Sequence, residues 1–245
     1  MQRDTLPHAS PAAAGPIGEP EASTANWSAV YALALCTFTL IASEFMPMSL
    51  LSPIARTLSL TEGQAGQAIA ISGIFAVVTS LSISSLIGGL DRRHVLLGLT
   101  ALLIVSGTLT AFAPSYLVLM VARAFVGVAV GGFWSMSAAT VMRLVPEESV
   151  PKGLAILNGG ATIATTLAAP LGSLMGGLIG WRGAFFCVVP VAVAAVMWQV
   201  FALPSMRATS EKKGGSMIAL LRRPSVLVGL IAVSFFFMGQ FALYT

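Results

Sequence analysis

Apolar residues fill this chain in seven long stretches separated by short polar joints: Trp27 to Leu51, Gly66 to Gly89, Val95 to Ala113, Tyr116 to Met142, Lys152 to Gly177, Gly183 to Leu203 and Ser225 to Thr245. Each is close to the roughly 20 residues that cross the hydrocarbon layer of a bilayer. A segment in lipid must satisfy its own backbone hydrogen bonds, and an α-helix does so within itself. The joints carry turn chemistry, as in Ala113-Pro114-Ser115 and Val145-Pro146-Glu147, and joints this short make neighbouring helices antiparallel. The pattern predicts an all-α membrane protein.

Residues 1–26 break the pattern. Pro7, Pro11, Pro16 and Pro20 stand there among Ala, Gly and Ser without an apolar period, which predicts a disordered tail. Residues 27–204 hold six of the runs and form the predicted transmembrane bundle. Residues 205–224 read as a basic linker with Arg207, Lys212, Lys213, Arg222 and Arg223, and 225–245 as a seventh helix that starts a second bundle. A last crossing that stops at Thr245 without a polar tail predicts a chain truncated from a longer protein.

Composition agrees with lipid as the solvent. Of 245 residues, 56% are hydrophobic and 9% charged, with mean hydropathy +0.90, far from the roughly 25% charged residues of soluble domains. The net charge of +4 is spread among short loops rather than gathered on one face, so no nucleic-acid partner is expected. The basic residues order the topology instead. With the tail in the cytoplasm, Arg3, Arg92, Arg93, Arg143, Lys152, Arg207, Lys212, Lys213, Arg222 and Arg223 fall inside, and Arg56 and Arg182 outside. That excess makes the N-terminus cytoplasmic. Cys36 and Cys187 lie in apolar runs and predict neither a disulfide nor a metal site. With no P-loop, nucleophile elbow or dinucleotide fingerprint, neither an enzyme nor a bound cofactor is expected.

Two charges remain deep within the runs, Glu44 and Arg123. An arginine at the centre of a spanning helix costs about 2.5–3.5 kcal/mol, so such residues face protein or a watery cavity. Glu44 lies seven residues before the outer end of the first run, and Arg123 seven after the outer start of the fourth. At a rise of about 1.5 Å per residue, both fall about 10 Å below the outer boundary. They are candidate partners, either as a static pair that orients two helices or as a proton-coupling pair. In the second reading, relative motion of the two groups loads or releases a proton on Glu44.

Steps of about 100° per residue put Gly127, Gly131 and Trp134 on the Arg123 face. The glycines permit close helix approach, while Trp134 is open to stacking on a flat substrate or to plain packing. Thr37 lies on the Glu44 face, and Asn158, Thr162 and Thr165 recur at helical spacing on the fifth run, which also holds Thr166. These residues, with Gln240 on the seventh, are candidate cavity groups that bond a sugar or a base, or their own backbones. Asp91, Arg92 and Arg93 in the second joint are a candidate gating loop, or a solvated topogenic turn.

Arg123-x-x-x-Gly127 resembles the proton-coupling motif of the major facilitator superfamily, in its drug antiporter branch. Ala169-Pro170-Leu171-Gly172 resembles that branch's antiporter motif, and Gly180-Trp181-Arg182 with Phe185 its lead into the sixth helix. The second joint departs from the family pattern, with Gly88 where an aspartate is usual and Asp91 at a glycine position. In the antiporter motif, Ala169 replaces the first glycine. Segments at Asn26 (NWSAV), Ser43 (SEFMPMSLL), Gly131 (GGFWSMSA), Met142 (MRLVP) and Gly239 (GQFALYT) resemble members that export purine ribonucleosides in exchange for protons. The resemblance implies twelve helices in two six-helix halves, each half made of two inverted three-helix repeats, with the cavity between the halves. It further implies a monomer in the bacterial inner membrane, with a small-molecule substrate and protons as its partners and the proton gradient as its energy source. A sugar or an amphipathic drug is the alternative substrate, and an inactive fragment the alternative to transport.

Overall fold

A computed structural model describes residues 25–87, 89–206 and 224–242, and the regular structure among the described residues is helical throughout. Five helices are long and apolar enough to cross a membrane. They are α1 (Trp27–Leu58), α2 (Glu62–Ile87), α3 (Arg92–Ala111), α4 (Tyr116–Leu144) and α5 (Val150–Ala202). A separate apolar helix of 19 residues, α6 (Pro224–Ala242), carries the seventh run. The chain divides into two compact units, residues 1–206 and 207–245. The tail before residue 25 and the predicted linker charges from Arg207 to Arg223 lie outside the described residues.

Helix ends follow capping chemistry rather than hydropathy. α1 starts where Asn26 Oδ1 accepts from the Ala29 amide (3.1 Å), and it ends in a left-handed Ser59 (φ 55) whose amide reaches back to Ala55 and Arg56. The helix therefore continues past the predicted end at Leu51. α2 starts at Glu62, before the predicted Gly66, because Thr61 and Gln64 form a capping box. The Gln64 amide donates to Thr61 Oγ1 (3.2 Å), and the Thr61 amide donates to Gln64 Oε1 (3.0 Å).

α5 spans 53 residues but breaks at Gly180, whose φ of 75° and ψ of 165° only glycine adopts without strain. Its limbs, 150–179 and 181–202, correspond to the fifth and sixth runs. Leu157 in the first limb and Ala192, Ala195 and Leu203 at the far end of the second share one apolar cluster, so the chain folds back on itself.

Two clusters divide the bundle along its length. One gathers Leu33, Leu40, Leu96, Leu103, Val126, Phe133 and Leu157. The other gathers Met46, Leu50, Ala68, Leu119, Met120, Trp181 and Phe185. Between them on α1 fall Ser43 and Glu44, on α2 Ser72, on α3 Ser106 and on α4 Arg123. The second cluster is closed by Trp181, whose Nε1 donates to Thr57 Oγ1 (3.1 Å) and whose ring lies 4.3 Å from the Arg182 guanidinium. Arg182 in turn donates to the Ala113 carbonyl (2.8 Å), tying the Gly180 corner to the α3–α4 joint.

Candidate functional site

The polar seam is built around a carbonyl that α1 cannot use itself. Pro47 has no N–H, so the helical bond it would donate to the Ser43 carbonyl is absent. The freed oxygen points across to α4 and accepts from Arg123 Nη1 at 2.9 Å. Arg123 Nε donates to the Ala68 carbonyl of α2 (3.2 Å), and Nη2 donates to Ser72 Oγ (3.3 Å) and to Glu44 Oε2 (3.4 Å). Four of the five guanidinium N–H groups are thus directed at acceptors on two other helices. Arg123 keeps 1% of its side chain exposed and Glu44 keeps 20%.

This geometry gives the two charges unequal roles. Arg123 is held mainly by backbone oxygens, whose charge never changes. Glu44 meets it only over a long contact, with Ser72 Oγ donating to its other oxygen at 2.8 Å. Arg123 therefore has backbone acceptors that do not depend on Glu44, and Glu44 keeps a partly exposed edge.

Gly127 and Gly131 sit where α4 crosses α2. A methyl at Gly127 would overlap the Ser72 carbonyl, and one at Gly131 the Ala76 carbonyl. Both glycines serve close approach, which seats Arg123 against α2. Trp134, three turns further on, keeps 36% of its surface exposed. The face that carries Arg123 is closed over and Trp134 is not, so the two do not share one open surface.

Of the two roles open to Thr37, the structure shows the bond to its own backbone. Thr37 has no exposed surface, and its hydroxyl donates to the Leu33 carbonyl at 2.9 Å, because the α1 face it shares with Glu44 is covered by neighbouring helices at this level. Asn158 and Thr162 are exposed and Thr165 half-buried. Their donors are turned inward: Asn158 Nδ2 to Leu154, Thr162 to Asn158, and Thr165 and Thr166 to Thr162. The stripe therefore offers a ligand the carboxamide oxygen of Asn158 and the lone pairs of the hydroxyls, and accepts more readily than it donates. Gln240 lies on α6, and its side chain is outside the described residues. A cavity of about 250 Å³ between α1 and both limbs of α5 is lined by apolar groups such as Phe38, Met46, Leu171 and Met175, and contains none of the polar candidates.

At the other end of the bundle, Asp91 caps α3 through the Arg93 amide (2.9 Å). It also accepts from Ser205 Oγ (2.6 Å) and from the Met206 amide (2.9 Å). Arg93 Nη2 donates to the Val200 carbonyl (2.6 Å), and the Arg92 amide to the Met206 carbonyl (3.3 Å). The joint is thus tied to the chain leaving α5. The Ser205 hydroxyl, then the two amides and His94, hold the Asp91 carboxyl below the usual carboxylate range. A lowered folded value stabilises the tie above the unfolded aspartate range near about pH 4, and that contribution is lost as pH falls through the folded value. Asp91→Ala removes the cap and both links, and is expected to speed hydrogen exchange of the Met206 amide about tenfold or more, at about 1 kcal/mol or above. Exchange unchanged at neutral pH would show that the tie contributes nothing.

The Ala169-Pro170-Leu171-Gly172 segment packs on the part of α1 that carries Pro47. A methyl at Gly172 would come within 2.6 Å of Ser49 Oγ and 3.0 Å of Met46 Cγ. Pro170 withholds the N–H that would pair with the Thr166 carbonyl, so α5 carries a freed oxygen of its own beside the Thr stripe. Ala169 and Pro170 are exposed.

Ser72 and the Ser43 carbonyl were not singled out from the sequence. The signal was present in the chemistry: an arginine buried in lipid needs acceptors for five N–H groups, and a proline four residues after Ser43 supplies one.

A family model described as Major Facilitator Superfamily matches residues 33–245. The chain is 58% identical over 224 residues to the transcription regulatory protein OpdE of Pseudomonas aeruginosa, covering 90% of this chain and 56% of that one. It is 44% identical over 220 residues to the purine ribonucleoside efflux pump NepI of Salmonella typhimurium, covering 90% and 55%. The chain spans about half the length of these relatives. Its fold matches a bacterial homolog of the human lysosomal transporter Spinster with a TM-score of 0.66 at 17% identity, over 79% of this chain and 46% of that one.

Proposed function

Because the chain belongs to the major facilitator superfamily, we propose that the protein it forms exports purine ribonucleosides across the bacterial inner membrane in exchange for protons, with its N-terminus in the cytoplasm. The observation that carries this reading is the Arg123–Glu44 contact at 3.4 Å inside the bundle, between its two apolar clusters. A transporter driven by a proton gradient needs one group that changes charge between states, and Glu44 is the membrane carboxylate placed to do so. The likeness to the NepI efflux pump supports nucleosides as cargo. The exposed acceptors of Asn158 and Thr162 and the half-buried one of Thr165 fit the ribose hydroxyl donors, and Trp134 offers a flat surface for the base. Asp91, Arg92 and Arg93 act as a tether that holds the cytoplasmic ends together. The bound proton serves as the energy carrier, and no other cofactor enters the cycle.

Labelled inosine in proteoliposomes holding the full-length protein is expected to exchange faster when a pH gradient is imposed. Export that ignores the gradient would refute proton coupling, and export of amphipathic drugs or sugars without inosine would reassign the cargo. The regulatory name of the OpdE relative supports a second reading, in which the protein acts on gene expression. Changed transcript levels in a deletion strain that still exports inosine normally would favour it.

A further inference from the structure

Ser72 Oγ lies 2.8 Å from Glu44 Oε1 and also 2.8 Å from the Ile69 carbonyl oxygen, and it accepts from Arg123 Nη2 over 3.3 Å. The residue has no exposed surface, so water does not complete its bonds. A hydroxyl has one proton and two lone pairs. It cannot donate to both acceptors at once, so one heavy-atom geometry accommodates either setting of the hydroxyl proton.

We infer that Ser72 is a positioning residue for the Glu44 proton, a rotor that gives the charged carboxylate a donor and the neutral acid an acceptor. When Glu44 is ionised it only accepts, and the Ser72 proton points at Oε1. When Glu44 takes up a proton on Oε1, that proton points at Ser72 Oγ, and the Ser72 proton turns to the Ile69 carbonyl. Arg123 Nη2 stays on a Ser72 lone pair in both settings. Ser72 keeps its own proton throughout, and the proton that moves enters and leaves through the exposed edge of Glu44. No heavy atom has to shift, and every polar group in the seam is paired in both charge states. Among the described residues, Arg123 is the charged group within reach of Glu44. It is anchored independently on Ser43 and Ala68.

The inference rests on the proton-coupling reading for its purpose, but not for its test. Infrared difference spectra of the full-length protein in lipid, recorded across a pH titration, show the Glu44 acid and carboxylate bands as those that Glu44→Gln removes. Ser72→Ala is expected to shift both bands, because each form loses a hydrogen bond, and Ser72→Thr to restore both. Substrate turnover in Ser72→Ala is expected to fall about 2- to 10-fold, the worth of one hydrogen bond, with KM unchanged. Ser72→Ala spectra in which neither band moves, or only one does, overturn the rotor. If Glu44→Gln removes no pH-dependent band, Glu44 holds no exchangeable proton, and the rotor and the coupling reading fall together. If the bands behave as expected while Glu44→Gln still exchanges inosine for protons, the rotor stands and the coupling reading falls.

Discussion

Arg123→Ala is expected to destabilise the bundle by about 3–5 kcal/mol, the usual cost of removing one partner from a buried ionic network. A lower melting temperature of the detergent-solubilised protein measures it. The substitution strips four hydrogen bonds from the seam. Glu44 and Ser72 retain each other, and Glu44 can neutralise itself by taking a proton. The Ser43 carbonyl has no such recourse, because Pro47 denies it a helical partner. An unpaired buried acceptor costs about 1–3 kcal/mol, and the void left by the guanidinium stem adds to that. Arg123→Lys is expected to recover only part of the loss, since one ammonium cannot serve acceptors spread over α1 and α2 as the planar fork does. A melting temperature unchanged in Arg123→Ala would mean that the seam is held by its apolar flanks alone.

Glu44→Gln is expected to remove the coupling at a smaller cost in stability. The carboxamide is nearly isosteric and keeps an oxygen for the Ser72 hydroxyl. Arg123 keeps its bonds to Ser43 and Ala68. What disappears is the group that changes charge. Gradient-driven exchange should fall by about 100-fold or more, the lower end of what a positioned proton-transfer group contributes, with a melting temperature lowered less than in Arg123→Ala, because Arg123 loses its counter-charge but keeps its backbone acceptors. Wild-type exchange in this variant would move proton coupling to another residue and leave the Arg123–Glu44 pair a structural one.

The sequence carried the architecture and the two charges for different reasons. Apolar run length reports helices directly when lipid is the solvent, so all seven runs were legible, including the break near Gly180. Glu44 and Arg123 stand out because each is the one charge in its run, and their matched distances from the helix ends place them at one depth. Ser72 was not legible. A serine in a membrane helix most often bonds its own backbone, and it gains meaning only when α2 is laid against α4 at Gly127 and Gly131. Thr37 takes the backbone-bonding alternative that the sequence left open: helical phase puts it on the Glu44 face, but phase alone does not say where another helix covers that face. The partners of Asp91 at Ser205 and Met206 are more than a hundred residues away in the chain, beyond any local pattern. Where helices start and stop was set by single polar side chains such as Thr61, Gln64 and Asn26, to which a hydropathy profile is blind.

If Glu44 trades its proton against substrate, adding inosine to the purified full-length protein in weakly buffered solution changes the pH. Wild type is expected to release protons on binding, and Glu44→Gln to bind inosine with no release. Equal release from both proteins, or none from wild type that binds inosine, would contradict the account.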